Sequence, residues 1–162
     1  MVAKVSIGIP VFNGEEWLAG TVESIIDQSY SDFCVIICDN ASTDRTAEIC
    51  QEYAAKDRRL KYYRNEENIG AAGNFNKVFE RSKGEYFRWA AHDDTLAPTY
   101  LENCVKVLDE DASIVLCHTR IKFLNEKGEL YHTMPSILKN VSSPKPHIRF
   151  GNLLMTDRHD YD

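Results

Sequence analysis

The stretch Val5-Ser6-Ile7-Gly8-Ile9-Pro10 decides the fold of this chain. It is a short, mostly apolar run that stops at a proline, and such a run is typical of a strand buried on both faces of a sheet. Phe33–Cys38 is a second run of this kind and ends at Asp39-Asn40. Further strands are predicted later in the chain, at Leu60–Tyr63, Glu85–Ala91, Ile114–Cys117, Ile121–Leu124 and Leu130–His132.

Helical patterns lie between the predicted strands. Asn13, with Glu16 three residues later, forms a capping-box pattern before the first helix, and Ser42 or Thr43 is predicted to cap the second. Because strands and helices alternate, we expect an α/β fold, a Rossmann-like and mostly parallel sheet with helices on both faces. The pattern degrades from about Pro135, so the fold is expected to be incomplete at the C-terminus.

Composition excludes several classes of protein. The 162 residues are 43% hydrophobic, which fits one globular domain, and the chain has neither a membrane-spanning apolar run nor a signal-peptide pattern. A net charge of −6 argues against a nucleic-acid partner. The five cysteines form no C-x-x-C pair, which argues against a disulfide framework or a structural zinc site and favours a reducing cytoplasm.

Two adjacent carboxylates give the sharpest chemical signal. Asp93 and Asp94 follow the predicted strand Glu85–Ala91, and ligands of parallel sheets bind at the carboxyl ends of the strands. Neighbouring carboxylates repel each other unless a positive charge is close, and Mg²⁺ or Mn²⁺ with oxygen ligands would supply that charge. The alternative is that both residues only cap the helix that follows.

Asp39 also ends a strand and is open to two interpretations. Its carboxylate could accept hydrogen bonds from a nucleobase or a ribose, or it could only shape the turn through Asn40. Ile69–Asn74 could present backbone N–H groups to a phosphate at a helix start, but it has neither G-x-G-x-x-G nor the P-loop lysine.

Together, four segments resemble family-2 glycosyltransferases of the GT-A fold, over about residues 4–134. They are Ser6–Asn13, Ile37–Asp44, Asn68-Ile69-Gly70 with Asn74, and Ala91–Asp94. The resemblance implies Mg²⁺ or Mn²⁺ held by Asp94 and Asp93. It also implies a sugar-nucleotide site made by Pro10, Phe12, Asn13, Glu15, Asp39, Asn68, Gly70, Asn74 and Asp93. Two positions depart from the family pattern, because Phe12 stands where tyrosine is common and Ala91 replaces the first acid of the metal motif.

The resemblance further implies a reaction. A sugar would pass with inversion from a nucleoside diphosphate, expected to be UDP, to a hydroxyl of a glycan or lipid-linked acceptor. The alternatives are a non-catalytic sugar-nucleotide-binding module and a nucleotidyltransferase-like α/β enzyme. The general base is expected beyond Asp162, because Asp157, Asp160 and Asp162 lack the family's surrounding pattern.

The expected domain organisation follows from the reach of the resemblance. Residues 1–134 are predicted to form the nucleotide-sugar-binding core, and residues 135–162 a loop and the truncated start of the acceptor side. The expected location is the cytoplasm, with peripheral membrane contact open only to a longer form.

Overall fold

The computed structural model describes residues 2–117, 119–125 and 127–133. These residues divide into two compact units, the first ending at Lys106 and the second beginning at Val107. In chain order the elements are β1 (Val5–Val11), α1 (Leu18–Ile26), β2 (Phe33–Asp39), α2 (Thr46–Lys56), β3 (Leu60–Arg64), α3 (Gly70–Glu80), β4 (Tyr86–Trp89), α4 (Tyr100–Glu110), β5 (Lys122–Leu124) and β6 (Leu130–Thr133).

Four of the strands form one parallel sheet in the order β3-β2-β1-β4. In the register of this sheet Val11 pairs with Asp39 and Asp39 pairs with Arg64, so β1, β2 and β3 end at the same edge. Helices cover both faces, and the predicted α/β architecture is therefore confirmed. β5 and β6 correspond to the predicted strands Ile121–Leu124 and Leu130–His132, and they pair with each other as an antiparallel hairpin with Gly128 at a φ of 77° in its turn.

The two central strands are buried because helices pack on both sides of them. Every residue of β1 is buried, and Ile7 and Ile9 have no exposed surface. The side chains of β1 that share a face with Ile7 pack with α1, α2 and α4, whereas Ile36 and Cys38 of β2 pack with Val78 of α3 on the other face. This double burial explains the nearly continuous apolar runs in the sequence.

Gly8 allows the closest approach between the sheet and α3. A Cβ atom at this position would overlap the Cγ1 atom of Val78, which is fully buried. A larger residue at position 8 would therefore push α3 away from β1. Since α3 also lines the cleft described below, Gly8 fixes one wall of that cleft.

The predicted strand Ile114–Cys117 is not a strand in the structure, and that prediction was wrong. Val115 and Leu116 are 92% and 75% exposed. A strand needs a neighbour to pair with its backbone N–H and C=O groups, and no described strand pairs with this segment. No helix of the described residues is both long and apolar enough to cross a membrane. The predicted region 135–162 lies outside the described residues, so its assignment stays a prediction.

Candidate nucleotide-sugar site

A cleft opens at the carboxyl ends of β1, β2 and β4. β1 has β2 on one side and β4 on the other, so the chain changes direction across the sheet at this point. Such switch points are where open α/β sheets bind ligands. Nine described residues line the cleft: Pro10, Val11, Phe12, Asn40, Asn68, Ala71, Asn74, Phe75 and His92.

Aromatic and amide side chains make up most of the wall of this cleft. Phe12 at the end of β1 is 44% exposed, and Phe75 on α3 is 41% exposed. Among the described residues the wall contains no Asp, Glu, Lys or Arg. Exposed rings beside neutral polar groups suit the stacking of a flat heterocycle, such as a nucleobase.

Asn13 and Glu15 turn away from this wall and join the loop after β2. The Asn13 N–H donates to Ser42 Oγ at 2.9 Å, and its Oδ1 accepts from the Thr43 N–H at 2.9 Å. Glu15 Oε2 accepts from the Arg45 N–H at 3.0 Å. The polar groups of both residues thus make protein contacts in this structure, and their contact with the donor stays a prediction.

The predicted helix caps were wrong, because the side chains expected to cap the helices bond to the neighbouring loop instead. α1 begins at Leu18 without a side-chain cap, because the side chain of Asn13, at a φ of 53°, is used by the neighbouring loop. At α2 the Thr46 N–H donates to Asp44 Oδ1 at 3.0 Å, whereas Ser42 Oγ accepts from Asn13. Hydrogen bonds between the two packed polar loops use the side chains that could otherwise cap the helices.

Asp39 is fully buried beside the cleft and does not line it. Its Oδ1 accepts from the Ser42 N–H at 2.8 Å. Its Oδ2 accepts from Tyr62 Oη at 2.8 Å and from Arg64 Nη1 at 2.7 Å. Burial, together with the hydrogen bond to Asp39, raises the pKa of Tyr62 to about 12. Asp39 therefore stabilises the end of β2, in addition to any contact with a nucleobase.

Four asparagines form a network at the cleft: Asn40, Asn68 and Asn74 belong to its wall, and Asn65 is buried behind it. Asn40 is its centre: Oδ1 accepts from Asn65 Nδ2 and from the Ile69 N–H, and Nδ2 donates to Asn68 Oδ1 and to the Gly70 carbonyl. Asn65 Nδ2 also donates to Asn74 Oδ1, and Asn74 Nδ2 donates to the Cys38 carbonyl. All four hydrogen-bonding positions of the Asn40 amide are used, so the loop before α3 is held rigidly against β2.

The structure brings together only some of the residues predicted from the sequence. Pro10, Phe12, Asn68 and Asn74 share the cleft, whereas Asn40, Asn65, Phe75 and His92 were not predicted as site residues. A signal for Phe75 was present, because it follows Ala71 at the helical spacing of four residues. Gly70 is off the wall; its φ of 78° suits glycine, and its N–H already donates to Asn68 Oδ1.

Asp93 and Asp94 lie at the rim, immediately after the wall residue His92. Both are exposed, and within residues 2–117, 119–125 and 127–133 neither carboxylate accepts a hydrogen bond or forms an ion pair. The helix-capping alternative is wrong, because α4 begins only at Tyr100. The described residues contain no group of three His, Cys, Asp or Glu side chains that could enclose a metal. Two free carboxylates do fit Mg²⁺ or Mn²⁺, which commonly takes one or two protein carboxylates and completes its shell with phosphate oxygens and water.

Comparison with known proteins identifies the family. The family "Glycosyl transferase family 2" matches residues 6–161. The chain belongs to this family. As a family-2 member it is 37% identical over 106 residues to the putative teichuronic acid biosynthesis glycosyltransferase TuaG of Bacillus subtilis, which covers 65% of this chain and 42% of TuaG.

Solved structures agree with the family assignment. TarS of S. aureus in complex with UDP-GlcNAc is 27% identical, with a TM-score of 0.63 over 66% of this chain and 31% of that one. The mannosyltransferase PcManGT of Pyrobaculum calidifontis, in complex with GDP-Man and Mn²⁺, is 25% identical, with a TM-score of 0.61 over 67% and 33%. The chain thus spans less than half the length of these relatives.

Proposed function

We propose that this chain is the donor-binding part of an inverting glycosyltransferase that uses a UDP-linked sugar. The observation that carries the proposal is the placement of an aromatic cleft beside the exposed Asp93–Asp94 pair, at the switch point of the sheet. A sugar nucleotide has a flat base at one end and a diphosphate at the other. The cleft would take the base, and the carboxylates would face the diphosphate.

The base would lie in the cleft against Phe12 and Phe75. Stacking on an exposed aromatic ring contributes about 1–3 kcal/mol per base. Pro10, Asn68 and Asn74 would shape the pocket. Asp39 lies buried beside the pocket, so it would accept a hydrogen bond from the base by giving up one of its protein donors. Binding of UDP-GlcNAc by the related TarS supports UDP as the carrier.

Asp94 and Asp93 would hold Mg²⁺ or Mn²⁺ at the rim. Bound there, the ion would neutralise charge on the departing diphosphate. The presence of Mn²⁺ with GDP-Man in the related PcManGT supports this assignment. Asp94 is proposed as the main ligand, and Asp93 as a second ligand or a contact to the ribose.

The acceptor is proposed to be a hydroxyl of a glycan or a lipid-linked sugar in cell-surface polysaccharide synthesis. The name of the related TuaG, which refers to teichuronic acid biosynthesis, supports this class. The proposed location is the cytoplasm, in agreement with five cysteines that form no disulfide. Removal of the acceptor proton needs a general base, and none of the residues described above is assigned to that role.

Calorimetric titration with UDP and with GDP, each in Mn²⁺ and again in EDTA, tests the proposal. We expect UDP to bind more tightly than GDP, and its affinity to fall when the metal is chelated. Equal UDP affinities in Mn²⁺ and EDTA would contradict the metal role, and tighter binding of GDP would contradict the uridine assignment. The absence of binding by either nucleotide would contradict the donor site itself, whereas binding without sugar transfer in the full-length protein would favour the non-catalytic module.

A further inference from the structure

The polar face of α1 holds the loop that carries Asp93 and Asp94. Thr21, Ser24 and Gln28 are three and four residues apart, so they follow one face of the helix and its C-terminal extension. Thr21 is 2% exposed and Gln28 is 7% exposed. Polar side chains buried between a helix and its neighbours are costly unless each is hydrogen-bonded, so their partners are informative.

All three side chains bind backbone atoms between the end of β4 and the first turn of α4. Thr21 Oγ1 donates to the His92 carbonyl at 2.8 Å. Ser24 Oγ accepts from the Leu96 N–H at 3.1 Å. Gln28 Nε2 donates to the Ala97 carbonyl at 2.8 Å, and its Oε1 accepts from the Leu101 N–H at 3.0 Å. The contacts therefore follow the loop in the same order as the side chains follow α1.

Asp93 and Asp94 lie between the first two of these anchors. The carboxylates have no described protein partner of their own, so the backbone on either side must fix their position. The ring of His92 lies close to the backbone of Gly14, since a Cβ atom on Gly14 would be only 2.8 Å from His92 Cδ2. Two like charges without such anchors would move apart, and bringing them together again would weaken metal binding.

We propose that Thr21, Ser24 and Gln28 are positioning residues that pre-organise the Asp93–Asp94 pair for a divalent cation and the diphosphate bound to it. This inference rests on the proposed function. It adds that α1, which contributes no residue to the cleft wall among those described, sets the metal affinity of the site. Residues that support a metal ligand without touching the metal commonly change metal affinity by about 10–100-fold.

The test compares Thr21→Val with Thr21→Ser in the same chain. Valine keeps the shape of threonine but loses the hydroxyl, whereas serine keeps the hydroxyl. The measured quantity is the metal gain, which is the UDP affinity in Mn²⁺ divided by that in EDTA. Thr21→Val should lower the metal gain about tenfold without changing the affinity in EDTA, and Thr21→Ser should retain the wild-type gain.

Ser24→Ala provides a second test that does not depend on nucleotide. It removes the acceptor of the Leu96 N–H on a partly exposed face, so folding is retained while hydrogen exchange at Leu96 becomes faster in metal-free protein. The metal gain should fall as for Thr21→Val. The matched control is Ser82→Ala, which removes a serine hydrogen bond to the Phe79 carbonyl after α3 and should change neither quantity.

Two results would contradict the proposal in different ways. If the wild-type chain has a metal gain and both Thr21→Val and Ser24→Ala keep it, the positioning role is overturned and the proposed function stands. If wild-type UDP affinity is the same in Mn²⁺ and EDTA, the metal part of the proposed function fails, and the positioning role fails with it.

Discussion

Arg64 Nη1 lies 2.7 Å from Asp39 Oδ2 across the ends of β3 and β2. The side chain of Asp39 is completely buried, whereas that of Arg64 is 43% exposed. Water is therefore excluded from the aspartate of the ion pair but reaches the arginine. Loss of the carboxylate would leave Arg64 free to return to water, but the Tyr62 hydroxyl and the Ser42 N–H would lose their acceptor.

Asp39→Ala is therefore expected to weaken both folding and nucleotide binding. Each buried donor left without an acceptor costs about 1–3 kcal/mol of the free energy of unfolding, and UDP binding should fall by a similar amount. Urea denaturation and calorimetry measure the two effects. Asp111→Ala is the control, since Asp111 is exposed and its side chain bonds only to Ser113 among the described residues. An Asp39→Ala chain with wild-type stability and affinity would contradict this account.

Asn40→Ala should loosen the loop before α3. The substitution removes four hydrogen bonds at once, and the groups left behind include the buried amide of Asn65. We expect a loss of about 2–4 kcal/mol in stability and weaker UDP binding in both Mn²⁺ and EDTA. Asn103→Ala on α4 is the matched control, because Asn103 is exposed and, within the part of the chain that the structure describes, its side chain donates only to Thr99 Oγ1. Similar losses of stability and UDP affinity for both variants would contradict the role of Asn40 in holding the loop before α3.

The apolar runs made the sheet predictable, but the asparagine network could not be read from the sequence. β1 and β2 are buried on both faces, and this constraint acts on nearly every residue of Val5–Ile9 and Phe33–Cys38. The hydrogen bonds of Asn40 depend instead on how two loops meet in space. The strand prediction at Ile114–Cys117 was wrong, because an apolar run forms a strand only where a neighbouring strand pairs with its backbone.

The carboxylate pair could be predicted because its chemistry is local, but its supports could not. Asp93 and Asp94 are adjacent in the chain, so their mutual repulsion can be inferred from the sequence alone. Thr21 lies 71 positions from His92, and only the packing of α1 against the segment after β4 brings the two together. Long-range polar contacts of this kind leave no periodic pattern in a single sequence.

Replacement of the two exposed rings in the cleft should reduce UDP affinity without unfolding the chain. Phe12→Ala and Phe75→Ala are each expected to cost about 1–3 kcal/mol of binding if the base stacks on that ring. The loss should be the same in EDTA, because stacking does not involve the metal. Phe79→Ala is the control, since Phe79 is 51% exposed on the same helix but is absent from the cleft wall. A larger loss for Phe79 than for Phe75 would place the base elsewhere.

Asp57 is expected to make folding sensitive to acid. Its carboxylate accepts from the Arg59 N–H, Nε and Nη2, and these bonds hold the pKa of Asp57 below its usual value. A lowered folded-state pKa gives stability that is present above the unfolded-state pKa, about 4, and is lost as the pH falls through the folded-state value. The stability difference between wild type and Asp57→Asn should therefore be largest near neutral pH and disappear in acid. Asp27→Asn, at an exposed position, is the control, and a difference that persists unchanged in acid would contradict the assignment.

Substitution at the rim should separate the roles of the two adjacent carboxylates. Asparagine keeps the shape of aspartate but removes its charge, so Asp94→Asn and Asp93→Asn test ligation with little change in packing at these exposed positions. Asp94→Asn should lower the metal gain in UDP affinity at least about tenfold, which is the lower limit for residues that only support a ligand. Asp93→Asn should lower it less. UDP affinity in EDTA should rise slightly for both, because each removes a negative charge that repels the diphosphate once the metal is absent. Asp32→Asn, exposed before β2, should leave the affinities in Mn²⁺ and EDTA unchanged. If Asp93→Asn proves the more damaging variant, Asp93 is the main ligand; if neither changes the metal gain, the cation binds elsewhere.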